Sequence, residues 1–273
     1  PLQAGRRMGL AFDDNKVPYL GGIDYTGTLT VGGNNYSIAH VNHLRQAGEI
    51  VLYNQHNGGY THTNQYGTEV LVKLSEGYTW AVNKVLEAKV EKIVKNKGNM
   101  KIPAGYAVLS GHGAGADALN TLTEGAIVKI ALNITLDGAV KPFSEIVGGD
   151  ARSAIIRDGV VSTGDVWNEL HPRTGFGYTA DRKTAIHCVV DGRSTISTGA
   201  STKDLAEIMR FVGAVDAINL DGGGSSCLFL KDFGPMNKVS DGQERAVSNG
   251  IYVVSTAPTD NNISEIRCVK ERV

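Results

Sequence analysis

Residues 219–226 read Asn-Leu-Asp-Gly-Gly-Gly-Ser-Ser, with an apolar run climbing to Asn219 and the chain turning apolar again from Cys227 to Leu230. On a strand, Asn219 and Asp221 share one face while Leu220 turns toward the core. Glycine permits positive φ and lets a ligand or a second chain segment approach the backbone. Successive N–H groups in such a turn form a concave anion site. Ser225 and Ser226 add hydroxyl donors. The set suits a polyanionic or polyhydroxyl ligand held beside a carboxylate. It equally suits a tight structural turn capped by Asp221. Familiar glycine motifs do not fit. A nucleophile elbow lacks its closing glycine, a phosphate loop lacks its lysine, and a dinucleotide loop should open a helix.

Other charged residues stand at expected strand ends. Arg173 and Thr174 follow His171-Pro172, and a guanidinium there can grip phosphate or carboxylate bidentately. Asp191-Gly192-Arg193 closes the next strand as a turn with two charged groups. Glu244-Arg245 precedes an apolar segment, Gly250–Val254, read as a strand. Each fits a surface ion pair or plain turn as well as a site. His40/His43 and His56/His62 lack the context of a metal site, so no metal and no cofactor are expected.

The elements that position these residues can be read from periodicity. Ser201–Val212 reads as a helix, capped by Ser201 or Thr202, with Leu205, Ile208, Met209 and Val212 on one face and Gly213 as the stop. The flanking segments HCVVDGRS and AVDAINLD make a strand–helix–strand unit, which argues for parallel or mixed pairing. Elsewhere short apolar runs recur between Gly, Asn and Asp clusters: Thr28–Val31, Glu49–Tyr53 before Asn57-Gly58-Gly59, Thr68–Leu74, Tyr106–Leu109 and Ile127–Leu132. Residues 82–97 fit strand or helix, and the Lys-Gly and Ile-Pro that follow favour strand. Arg7–Phe12 echoes Arg173–Tyr178 over six positions. The expected class is α+β, rich in strand, as one domain over residues 1–273 with a subdomain within 80–140.

Composition narrows the function. The chain has 273 residues, 34 of them glycine, and net charge -1. No basic surplus points to nucleic acid, and no apolar stretch is long enough to span a membrane. Cys188, Cys227 and Cys268 are odd in number and scattered, which suits small buried residues rather than a disulfide framework.

The run HPRTGFGYTADRKTAIHCVVDGRS, the helix, GAVDAINLDGGGSSCLFL and ERAVSNGIYVV together resemble the phosphodiester glycosidase family over residues 148–254. NHLRQAGEIVLYN, TNQYGTEVLVKL and GYAVLSGHGAGADAL look like its bacterial members. The family's Asn-Gly-(Gly/Asp)-(Phe/Tyr)-Phe segment is expected ahead of residue 1. The resemblance implies a hydrolase that cuts a sugar phosphodiester, such as an N-acetylglucosamine–phosphate–sugar, at the anomeric carbon–oxygen bond. It implies an exported protein, periplasmic or extracellular. Arg173 and the Gly222–Ser226 amides would then hold phosphate, with Thr174 beside them and Arg245 as an alternative. Asp221 would be the catalytic carboxylate and Glu69, in Gly-Thr-Glu, a second acid, though it also fits a strand-edge glutamate. Asp191 would be a third acid or would orient Arg173 or Arg193. Asn219 would bind sugar hydroxyls. Two rival readings remain: a glycan- or phosphate-binding module without turnover, and a phosphodiesterase cutting the P–O bond.

Overall fold

The computed structural model describes residues 2–3, 7–140, 143–149, 153–162, 167–247 and 249–254. In chain order the strands are β1 (Leu2–Gln3), β2 (Arg7–Asp13), β3 (Pro18–Val31), β4 (Asn34–Val41), β5 (Ile50–Asn54), β6 (Thr68–Leu74), β7 (Val85–Lys95), β8 (Tyr106–Gly111), β9 (Ile127–Leu136), β10 (Phe143–Gly148), β11 (Ala154–Arg157), β12 (Val160–Val161), β13 (Arg173–Tyr178), β14 (Ala185–Val190), β15 (Asp216–Asn219), β16 (Phe229–Leu230) and β17 (Gly234–Pro235). Two α-helices, α1 (Ala114–Leu119) and α2 (Thr202–Phe211), accompany them among the described residues. The class is therefore mostly β, not the α+β expected. The short glycine-bounded runs are strands, and one good helical period does not change the class.

Strands β3, β4, β5, β8, β6, β7 and β9 close into a seven-stranded barrel, because β3 pairs with both β4 and β9. Closure removes the sheet edges that a long antiparallel meander would expose. The β3–β4 hairpin turns through Gly32 and Gly33 at φ +55° and +87°. Two consecutive positive φ values match the twist of the flanking strands, which only glycine supplies without strain. Period-two alternation fills the interior: Val128, Ile130, Leu132 and Ile134 of β9 are buried with Leu29, Leu52, Val70 and Leu109. Helix α1 adds Ala118 and Leu119 to that core. Residues 82–97 resolve as strand β7, and β7, β8 and β9 of the 80–140 region are barrel staves.

Beyond β3 the barrel sheet continues into β2 and β10. Against this extension packs a five-stranded sheet ordered β12-β11-β15-β13-β14. Its other face carries α2, through Leu205, Ala206 and Met209 against Ile155, Ile156 and Ala217. A capping box starts α2: Asp204 N–H donates to Ser201 Oγ (3.1 Å), and Ser201 N–H donates to Asp204 Oδ2 (2.9 Å). Its buried stripe is Thr202, Leu205, Ala206 and Met209, whereas Ile208 and Val212, expected inside, face solvent. Gly175 of β13 makes room for this stripe: a Cβ there would meet Met209 Sδ at 2.5 Å and Leu205 at 3.3 Å.

The strand–helix–strand unit forms, but β14 and β15 do not pair. Strand β13 lies between them, antiparallel to both, so the sheet holds no parallel pair where one was expected. Gly250–Val254 forms no strand: Tyr252, Val253 and Val254 are exposed and find no partner strand. Cys188 and Cys227 are half-buried free thiols, and burial raises the pKa of both, with the Glu244 charge adding to it at Cys227. Cys268 lies outside the described residues. No helix among the described residues is long and apolar enough to cross a membrane.

Candidate functional site

The echo noticed between residues 7–12 and 173–178 becomes two strands, β2 and β13, that meet face to face. Phe12 and Phe176 pack edge-on with centroids 5.8 Å apart. Arg7 and Arg173, the residues that open these strands, both line a cavity of about 630 Å³. Its other walls come from Gly148 and Gly149, from Ser153, from Trp167, Glu169 and His171, and from Asn219–Gly222. That volume lies within the range of small-molecule sites, roughly 300–1,000 Å³.

Asn219 ends β15 with 6% of its surface exposed, and its Oδ1 is buried without a hydrogen-bond partner among the described residues. Its backbone N–H donates to Ser153 O (2.7 Å). Asp221, two residues on, is exposed, and its Oδ1 accepts the Gly222 N–H (2.9 Å). Arg173 is buried with two N–H groups committed: Nε donates to Ala200 O (2.9 Å) and Nη2 to Glu169 O (2.7 Å). Burial lowers its pKa, against the opposing pull of the Glu169 charge. A buried polar atom left without a partner beside a carboxylate and a guanidinium is what a polar ligand would complete.

The glycine turn is a 3₁₀ turn over Gly223–Ser225. Each glycine has its own reason. A Cβ on Gly222 would stand 2.7 Å from Pro172 O, and Gly223 has φ +62°. A Cβ on Gly224 would strike the Asp241 and Arg245 side chains. The expected cradle of amides narrows sharply. Gly222 N–H goes to Asp221, Gly223 N–H to Pro172 O (2.9 Å), and the Ser225 and Ser226 N–H groups to Gly222 O and Gly223 O (both 3.2 Å). Only the Gly224 N–H has no partner among the described residues. The turn closes on its own backbone because a 3₁₀ turn uses N–H groups that an open nest would present.

Two guanidinium groups and one carboxylate, Asp241, stand against the turn. The Arg193 Nη2 and Nη1 atoms would lie 3.1 and 3.2 Å from a Cβ on Gly223. Arg193 itself holds φ +54°, a costly conformation for a side-chain-bearing residue, and its guanidinium makes no hydrogen bond or ion pair among the described residues. Arg245 lies against Gly224. It donates through Nε (2.9 Å) and Nη2 (2.6 Å) to Asp241 Oδ2, and through Nη1 to Ser225 Oγ (3.5 Å). Thr174 Oγ1 donates to Ser226 Oγ (2.9 Å), tying the turn to β13.

The structure thus brings Arg173, Asn219, Asp221 and Gly222 to the cavity, and Thr174, Arg193, Arg245 and Gly223–Ser226 to the adjoining turn. Asp191 stands elsewhere on the same rim. Its Oδ1 accepts Lys238 N–H (2.9 Å) and Asn237 Nδ2 (3.4 Å), and Asn237 Nδ2 also donates to Ser226 O (3.0 Å), so Asp191 anchors the 228–237 hairpin to the turn. Glu69 is not at the cavity. It sits on the outer face of β6, 1% exposed, where Oε1 accepts from Thr63 Oγ1 (2.8 Å) and Ser110 Oγ (3.0 Å) and Oε2 from Met100 N–H (3.0 Å). Trp167 and His171 also line the cavity; neither stands in a motif that marks it as a site residue in the sequence. Among the described residues no three His, Cys, Asp or Glu side chains cluster as a metal site.

The sequence pattern of the phosphodiester glycosidase family matches residues 55–254. The match opens just before Asn57-Gly58-Gly59-Tyr60-Thr61, which carries four of the five residue types of the segment expected ahead of residue 1; these residues had looked like a plain turn after β5. A SPbeta prophage-derived uncharacterized protein of Bacillus subtilis, YomE, is 36% identical over 104 residues, 38% of this chain and 16% of that protein. Two solved structures share the fold. One, from Burkholderia pseudomallei K96243 and named as an exported protein, has TM-score 0.67 at 22% identity over 90% of this chain and 57% of its own. A hypothetical protein from Synechocystis has TM-score 0.64 at 19% identity, covering 86% and 43%. The chain therefore spans between about one sixth and three fifths of the length of these relatives.

Proposed function

Because the chain belongs to the phosphodiester glycosidase family, we propose that it hydrolyses a sugar phosphodiester at the bond between the anomeric carbon and the phosphate oxygen. One observation carries the reading. The unpartnered Asn219 Oδ1 and the exposed Asp221 carboxylate share a cavity, and the next residues of the chain, Gly223 and Gly224, lie under the guanidinium groups of Arg193 and Arg245.

The chemistry divides between these two places. The leaving group is a phosphate monoester with a second pKa of about 6, so it needs its charge held more than it needs a proton. Arg193, Arg245 and the free Gly224 N–H supply that. Asp221 serves the oxocarbenium-like centre as nucleophile or as base for water. A water oxygen bonds to the anomeric carbon, the carbon–oxygen bond to phosphate breaks, and the products are free sugar and phosphomonoester. Asn219 binds sugar hydroxyls. Arg173, spending two donors on backbone carbonyls, holds the cavity wall and adds positive charge there. Asp191 positions the hairpin beside the turn. The name of the Burkholderia neighbour supports export as the setting.

The test is a synthetic N-acetylglucosamine–phosphate–mannose diester followed by phosphorus and proton NMR, with and without chelator. Free N-acetylglucosamine and mannose 6-phosphate, unaffected by chelator, are the expected products. N-acetylglucosamine 1-phosphate would instead mean P–O cleavage. Asp221→Asn should abolish turnover with its melting temperature unchanged, since the side chain is exposed and bonds only its neighbour; near-normal turnover would remove it from the mechanism.

A further inference from the structure

We propose that the cavity is a sugar-ring subsite in which Trp167 is the stacking platform and His171, with Asn219, is a second group that reads a hydroxyl or amide of the ring. The proposal rests on the reading above only for the class of substrate; binding of a free sugar is its own event and does not require turnover.

Trp167, His171 and Asn219 line the same cavity. Two buried polar atoms of residues that line it, Asn219 Oδ1 and His171 Nδ1, have no hydrogen-bond partner among the described residues. Such atoms are rare in folded proteins, and a polar cavity is where a ligand meets them. A pyranose has apolar C–H faces and a polar rim. An aromatic side chain beside orphaned hydrogen-bonding groups is the complementary set. Inorganic phosphate has no apolar face to lay on the indole.

Both residues are held by backbone, as a recognition site requires. Trp167 N–H donates to Thr202 Oγ1 (3.0 Å), and Thr202 N–H donates to Trp167 O (3.0 Å), which fastens the tryptophan to the first residue of α2. His171 exchanges two backbone hydrogen bonds with Ala200 (3.3 and 3.0 Å). Gly199 permits that approach, since its Cβ would lie 2.5 Å from the His171 carbonyl carbon. His187, by contrast, packs edge-on to Phe176 with centroids 4.4 Å apart, and burial lowers its pKa; it belongs to the core.

The chain has two tryptophans. Trp80→Phe therefore leaves Trp167 as the sole indole reporter. Titrating that variant with free N-acetylglucosamine should shift its emission saturably, and inorganic phosphate should not. Trp167→Ala should weaken N-acetylglucosamine binding by about tenfold, measured by ligand-observed NMR, and Trp167→Phe by clearly less, as expected of a contact worth about 1.4 kcal/mol. His171→Ala should weaken sugar binding without altering emission in the free state. Matched melting temperatures guard against misfolding, and Trp167→Phe keeps the test informative if the alanine variant fails to fold. An emission of Trp167 indifferent to saturating sugar, or equal affinities for wild type and both Trp167 variants, would overturn the platform. Sugar binding without hydrolysis of the diester would keep the subsite and sink the hydrolase reading instead.

Discussion

Glu69 is a carboxylate whose oxygens are already occupied. Three donors reach it, from Thr63, Ser110 and the Met100 backbone, and Arg45 Nη1 in turn donates to Ser110 Oγ (2.8 Å). Removing it strands those donors in a buried place. Glu69→Ala should cost about 3 kcal/mol in chemical denaturation, and Glu69→Gln about half that, because one of its new N–H groups must face a donor. At temperatures where both stay folded, Glu69→Gln should keep its turnover of the diester, in contrast to Asp221→Asn. A loss of activity without loss of stability would return Glu69 to the chemistry. The sequence carried the glutamate's presence but not its surroundings. Residues 63, 69 and 110 meet only because β6 and β8 pair with Glu69 opposite Ser110, and strand register is not written in any local window. Asp221 and Asn219 were legible because two positions on one strand fix their own relation.

At the scale of elements, the glycine turn separates two kinds of requirement. At Gly222 the obstacle to a side chain is the backbone carbonyl of Pro172, 2.7 Å from the ideal Cβ, which cannot move without β13. At Gly224 the obstacles are the ends of Asp241 and Arg245, which can swing away. Gly222→Ala should therefore lower stability by about 2 kcal/mol, whereas Gly224→Ala should cost well under that. Gly224→Ala should nonetheless reduce turnover by displacing Arg245 from the turn. Thermal melts and kcat/KM on the two variants check the pair; similar melts for both would mean that the turn yields as readily as the side chains. The glycine run was legible as a turn with room for something close by. That its neighbours are the protein's own carbonyl, guanidinium and carboxylate groups was not, because these come from residues 172, 193, 241 and 245. The strand–helix–strand unit shows the same limit. Its three elements were readable from period and capping, but β13, which precedes them in the chain, inserts between the two strands and makes the sheet antiparallel.

At the scale of the molecule, one apolar cluster joins the β2–β3 end of the barrel sheet to the five-stranded sheet. Met8, Leu10 and Leu20 on β2 and β3 pack with Phe176, Tyr178 and Ile218 on β13 and β15. Tyr178 is 1% exposed, and its hydroxyl accepts the Leu20 N–H (3.0 Å) across that junction. Burial, with the negative charge of Asp216 adding to it, holds its phenol protonated far into alkali. Asp216, at the start of β15, accepts the Asp158 N–H (3.0 Å) and so fixes the turn after β11 beside the same junction. Arg7 and Arg173 sit at the starts of β2 and β13, the two strands this junction brings together, so the cavity inherits its width from the same contact. Tyr178→Phe keeps the ring and removes the bond, leaving a buried Leu20 N–H without a partner. The expected loss is about 2 kcal/mol. Because the junction is shared core, the loss should appear as a shift of one cooperative transition, seen alike by fluorescence and by far-UV circular dichroism. Two separated transitions in the variant would mean that barrel and sheet fold independently, and that the cavity between Arg7 and Arg173 is held by something other than this contact.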